Sequence, residues 1–89
     1  MKSGLVMQAM DQQIRAFIID NFLFGQGGEN LLNDDSFLEK GIIDSTGVLE
    51  LVNFLEETFK IKVEDEDLLP ENLDSVNKVV SFLSRKLEN

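Results

Sequence analysis

Between Gly41 and Val52 the chain reads Gly-Ile-Ile-Asp-Ser-Thr-Gly-Val-Leu-Glu-Leu-Val, which sets Ser45 where a loop turns into a helix. The start of a helix offers unpaired backbone N–H groups and the positive end of the helix dipole. Such a place favours a phosphate ester by about 0.3 to 1 kcal/mol when exposed. A hydroxyl there is presented outward, yet Asp and Ser are also preferred helix caps, and capping alone would account for the pair Asp44 and Ser45. A second pair, Asp74 and Ser75, also precedes an apolar helix, but Val76, Asn77 and Lys78 follow it in place of the glycine and acidic face. Ser75 is therefore expected to be a cap. A lone serine hydroxyl is a weak nucleophile without a neighbouring base. The chain contains no His to act as that base and no Cys to act as a thiol nucleophile, disulfide partner or zinc ligand. Ser45 is thus better suited to be modified by another protein than to catalyse anything itself.

The elements that position Ser45 follow from the apolar spacing. Val6, Met10, Ile14, Phe17, Ile18 and Phe22 recur at roughly 3.6 residues, predicting a helix from Val6 to Phe24, with residues 1–5 or so as a flexible tail. Gly25 stops that helix. Gly27 and Gly28 open a connection to about Asp44 through Asn30, Asn33, Asp34 and Asp35. So long a link in a small domain is expected to be pinned, and Leu31, Leu32, Phe37, Leu38, Ile42 and Ile43 are its anchors. The second helix carries Val48, Leu51, Val52, Leu55 and Phe59 on one stripe, with Glu50, Asn53, Glu56, Glu57 and Lys60 facing away. After the acidic run Glu64 to Asp67, Pro70 limits any helix to a turn or two. A last helix beginning near Asp74 or Ser75 turns Val76, Val79, Val80, Leu83 and Leu87 inward and Lys78, Arg85, Lys86 and Glu88 outward. Nothing alternates with a period of two. The expected fold is all-α: a small bundle of three main helices and one short one, with a long loop between the first two.

Composition bounds the partners. Of 89 residues, 17 are Asp or Glu and 8 are Lys or Arg, a formal net charge of -9, so nucleic acid and anionic membranes would repel the chain. The natural complements are a basic protein surface or divalent cations, and salt or such cations are expected to relieve repulsion and stabilise the fold. No dedicated metal site is expected, since neither Glu64 to Asp67 nor Asn30 to Glu39 has the ligand spacing of a calcium loop. Gly25, Gly27 and Gly28 lack the preceding strand and following Lys-Ser/Thr pair of a phosphate-binding loop. With no signal-like leader and no transmembrane run, a soluble, cytoplasmic, monomeric single domain spanning 1–89 is expected.

The run from Gly41 to Ser45, followed by Glu50, Leu51, Val52, Leu55, Glu56, Glu57 and Phe59, resembles the prosthetic-group attachment region of acyl carrier proteins. The likeness extends from about Phe37 to the final helix, and the helix order of the whole chain suits it. The resemblance implies that Ser45 carries 4'-phosphopantetheine, attached by a phosphopantetheinyl transferase from coenzyme A, with Asp44 as the adjacent motif residue. It further implies no catalysis by the chain itself, which would carry acyl thioesters among enzymes of fatty acid, lipid or polyketide-type synthesis. Thr46, Glu50, Glu56 and Glu57 would meet basic patches on an acyl ligase or synthase and on acyltransferases. Thr46 stands where such carriers usually have a large apolar residue, and Phe54 where a smaller one is common. Both departures point to a specialised carrier, Phe54 narrowing any interior space for an acyl chain. The same short motif also occurs in D-alanyl, aminoacyl and peptidyl carriers. An unmodified acidic helical adaptor is the reading from another class.

Overall fold

In a computed structural model of the chain, residues 2–23, 25 and 31–88 are described, with side chains from Met10 onward in the first helix. Among them are four α-helices: α1 (Lys2–Phe22), α2 (Ser45–Phe59), α3 (Pro70–Leu73) and α4 (Val76–Glu88), with one 3-10 turn at Asp65–Asp67. The described residues contain no strand, and no helix in them is long and apolar enough to cross a membrane. The all-α architecture of three long helices and one short one is the expected one. Helical backbone begins at Lys2, however, inside the segment expected to be a tail, and before the apolar spacing starts. Phe24 and the loop residues Gly27, Gly28 and Asn30 lie outside the described residues.

Each boundary has a local cause. Gly25, at φ 79°, turns the chain out of α1 and donates its N–H to the Ile19 carbonyl at 2.8 Å. Asp44 has extended backbone and accepts the Gly47 N–H, capping α2. Pro70 occupies the first turn of α3, where its missing N–H costs nothing. It thus starts a short helix rather than merely ending one. Lys60 closes α2 in the left-handed conformation at φ 57°.

The core is a single cluster. Ile14 and Ile18 of α1, Leu51 and Leu55 of α2, Val76, Val79 and Leu83 of α4, and Phe37 of the connection are all essentially inaccessible. Each such side chain contributes about 1.5 to 3 kcal/mol of transfer free energy, against the ordering of the chain. Helix α4 packs on both α1 and α3. Within α4, Phe82 is buried as well, whereas Leu87, expected inward, is 48% exposed, because the cluster ends one turn earlier at Leu83.

The connection before α2 is held fast, by fewer anchors than its apolar residues suggest. Leu31, Phe37 and Ile43 are buried and Ile42 is partly so, but Leu32 and Leu38 are 64% and 47% exposed. An irregular segment cannot turn every apolar side chain toward one core. Polar ties complete the fixing: Arg15 donates from one guanidinium nitrogen to the Leu31 carbonyl and to Asn33 Oδ1, both at 2.8 Å. Asn33 in turn donates to Asp11 at 3.2 Å and accepts the Asn77 N–H at 3.0 Å. The segment is thereby bound to α1 and α4 together.

Candidate functional site

Ser45 is the first residue of α2, and Asp44, not Ser45, is its cap. Asp44 Oδ1 accepts the Gly47 N–H at 2.7 Å, and the Asp44 carbonyl accepts the Val48 N–H at 3.1 Å. With that task filled by its neighbour, the Ser45 hydroxyl makes no hydrogen bond among the described residues and is exposed, as is Thr46. The segment beneath is rigidly placed. Phe37 and Ile43 are buried on either side of a turn in which Gly41 takes φ 68°, a left-handed conformation that favours glycine. The Phe37 carbonyl accepts the N–H groups of both Ile42 and Ile43.

Gly47 fixes the helix start from the other side. A Cβ added there would lie 2.9 Å from Phe22 Cε1 and 3.0 Å from Ile43 Cγ2, so α1 ends directly against α2. Any larger residue must push Phe22 aside.

The second Asp-Ser pair inverts these roles. Ser75 is 2% exposed, and its Oγ accepts the Lys78 N–H at 3.1 Å, so it is the cap of α4. Asp74 reaches back to the connection: its carboxylate accepts the Ser36 hydroxyl and the Leu38 N–H, the latter at 3.0 Å, and its carbonyl accepts the Phe37 N–H at 2.9 Å. Asp74 therefore staples the loop that delivers Ser45, a role not evident from local sequence.

Ser45 sits on the rim of an apolar groove of about 270 Å³ between α2 and the segment Leu68–Leu73. Val48 and Leu49 form one wall, Leu68 and Leu69 the other, and Phe37 and Ile43 line it too. Leu49 is 61% exposed. Its position off the buried stripe of α2 was the one signal in the sequence that this helix has a second apolar edge. On the opposite side of the α2 start lies a polar hollow lined by Asn21, Gly41, Asp44, Thr46 and Glu50.

The acidic strip is less uniform than its sequence. Glu50 and Glu57 are exposed, while Glu56 is half-buried and its Oε2 accepts the Val63 N–H at 2.9 Å. Glu56 thus ties the chain after α2 to the helix, and its carboxylate is occupied at home. Phe54 lies on the α1 side, stacked on Phe17 with ring centroids 4.2 Å apart and edge-on to Phe59. It is not among the residues that line the groove beside Ser45.

No protein-family profile matches the chain. Individual proteins do. It is 31% identical over 80 residues to an acyl carrier protein of Buchnera aphidicola subsp. Acyrthosiphon pisum, covering 90% of this chain and 95% of that one. An acyl carrier protein of Akkermansia muciniphila is 32% identical over 77 residues, 86% of this chain and 91% of the relative. A D-alanyl carrier protein of Streptococcus uberis is 36% identical over 74 residues, 81% of this chain and 91% of the relative. Sequence, helix order and likeness over nearly the full length of these proteins agree that the chain belongs to the carrier protein family that includes acyl and D-alanyl carrier proteins.

Proposed function

We propose that this chain is a stand-alone acyl carrier, one domain without catalytic activity of its own, with Ser45 as the attachment point for 4'-phosphopantetheine. The observation that carries the reading is the exposed Ser45 at the first position of α2, its hydroxyl without a hydrogen bond among the described residues, with Asp44 performing the capping that would otherwise occupy it. A fixed helix start presents this hydroxyl to a phosphopantetheinyl transferase, which brings the base that the chain lacks. The outward N–H groups of the first turn and the helix dipole favour the negative phosphodiester that results. When attached, the arm supplies the thiol on which cargo is held as a thioester.

The groove supports acyl over aminoacyl cargo. Its walls are mainly Leu and Val side chains that match a hydrocarbon chain, and the one carboxylate in its lining, Asp74, already accepts the Ser36 hydroxyl and the Leu38 N–H. Exposed Glu50 and Glu57, next to Thr46, suit basic patches on acyl ligases, synthases or acyltransferases, charge mainly speeding encounter. A monomer working in the cytoplasm fits this role. The D-alanyl relative keeps the aminoacyl alternative in view.

After modification by a broad-specificity transferase, the chain should accept medium-chain fatty acids from an acyl ligase in preference to D-alanine or other amino acids from their ligases. Charging with amino acids alone would turn the assignment to the alternative, and failure of any modification would favour the unmodified adaptor.

A further inference from the structure

The outer wall of the groove is held from a distance. Leu68 and Leu69 follow the 3-10 turn Asp65–Asp67 and precede the four-residue α3, so little regular structure fixes them. Their own hydrogen bonds are local, to Asp65, Asp67, Asn72 and Leu73, and the residues on either side of them, Asp67 and Asn72, are tied to the last turns of α4. Lys86 Nζ lies 2.7 Å from Asp67 Oδ2, with both side chains largely covered. Arg85 donates to Asn72 Oδ1 at 2.8 Å, and Asn72 Nδ2 donates to the Asp67 carbonyl at 3.0 Å. Asp67 also accepts the Glu64 N–H at 3.0 Å, closing the turn on itself. The Lys86 ammonium also lies over the Phe82 ring, 5.7 Å from its centre, a second attraction that holds the cation where it meets Asp67.

We propose that Lys86 is a positioning residue for the groove beside Ser45: by holding Asp67 it fixes the Leu68–Leu69 wall against α2 and so sets the affinity of the groove for a linear apolar chain. Arg85 and Asn72 are the second point of the same tether. Because α4 is packed against α1 and α3 while the groove opens between α3 and α2, a wall fastened to α4 stays still when nothing fills the groove. A pre-formed wall spares a ligand the cost of ordering it. The occupant inferred for the groove rests on the acyl-carrier reading; the tether does not.

The test uses the unmodified chain, with 1-octanol as the probe. In Lys86→Met, which keeps the apolar stem, amide exchange at Asp67, Leu68 and Leu69 should quicken about three- to fivefold, as expected for loss of a partly exposed ion pair, with the α1 and α2 amides unchanged. Octanol, followed by methyl shifts of Leu49 and Leu69, should bind several-fold more weakly, and Lys86→Arg should restore both measurements. Asp67→Asn, which retains an acceptor for Glu64 N–H, should reproduce the Lys86→Met result. Unchanged wall exchange, uniformly faster exchange throughout the chain, or octanol binding that ignores these changes would each overturn the proposal. A chain that resists phosphopantetheinylation would refute the carrier reading and leave the exchange result standing.

Discussion

The two Asp-Ser pairs look alike in sequence and are used in opposite ways. At Asp44 and Ser45 the aspartate caps the helix and the serine is left exposed, its hydroxyl without a partner among the described residues. One position later in register, at Asp74 and Ser75, the serine caps and is buried, and the aspartate reaches across the molecule to the Ser36–Leu38 segment. A helix start needs one side-chain acceptor for its first N–H groups. Which member of the pair supplies it decides whether the other is available for chemistry. The remaining member at the second site is not idle either, since Asp74 stabilises the loop that presents the first.

That contrast can be broken in several ways. The largest expected effect is on modification: Ser45→Ala should lose phosphopantetheine attachment completely while retaining the melting temperature of the unaltered chain. The next is Asp74→Ala, which leaves the Leu38 N–H and the Ser36 hydroxyl without their acceptor. It should cost about 1 to 3 kcal/mol in denaturant unfolding and speed amide exchange around Leu38. Removal of the caps comes third. Ser75→Ala and Asp44→Ala should each cost about 1 kcal/mol, and Ser75→Ala should still be modified normally. The smallest change lies at the far end of α2, where Lys60→Gly relieves a left-handed residue and should stabilise by about 0.5 to 1 kcal/mol, measured as a rise in melting temperature.

Acidification probes the tether at Asp67. Hydrogen bonding from Lys86, then from the Glu64 N–H, holds the Asp67 carboxyl below its ordinary value of 3.8. A carboxyl whose pKa is depressed by folding contributes stability above its unfolded value and loses it as pH falls through the folded one. Thermal stability should therefore decline below about pH 4, and Lys86→Met should flatten part of that decline.

Much of this was legible in the chain. The stripe through Leu51 and Leu55 and the one through Val76, Val79, Val80 and Leu83 are buried as their spacing implies, because helical periodicity reports directly on one face. Ser75 as a cap also followed from its context. Outside the periodic stripes, burial depends on contacts that sequence does not encode locally. Leu32 and Leu38 look like Leu31 and Phe37 in sequence, and only the path of an irregular segment decides which turn inward. Glu56 resembles Glu57 on a helical wheel, but a partner seven residues on, the Val63 N–H, draws it out of the acidic face. The groove was hidden for the same reason: it is made by Leu49 on α2 and Leu68 and Leu69 from a later segment. Likewise, Lys86 and Arg85 read as solvent-facing ends of α4, yet they meet Asp67 and Asn72, which only the folded chain brings near.

On the proposed function, Ser45 and not Ser75 is the site of attachment. Intact mass measured after incubation with coenzyme A, Mg²⁺ and a broad-specificity phosphopantetheinyl transferase tests it most directly. A gain of one phosphopantetheine is expected in the unaltered chain and in Ser75→Ala, with none in Ser45→Ala; a gain that persists in Ser45→Ala, or its absence from the unaltered chain, would contradict attachment at Ser45.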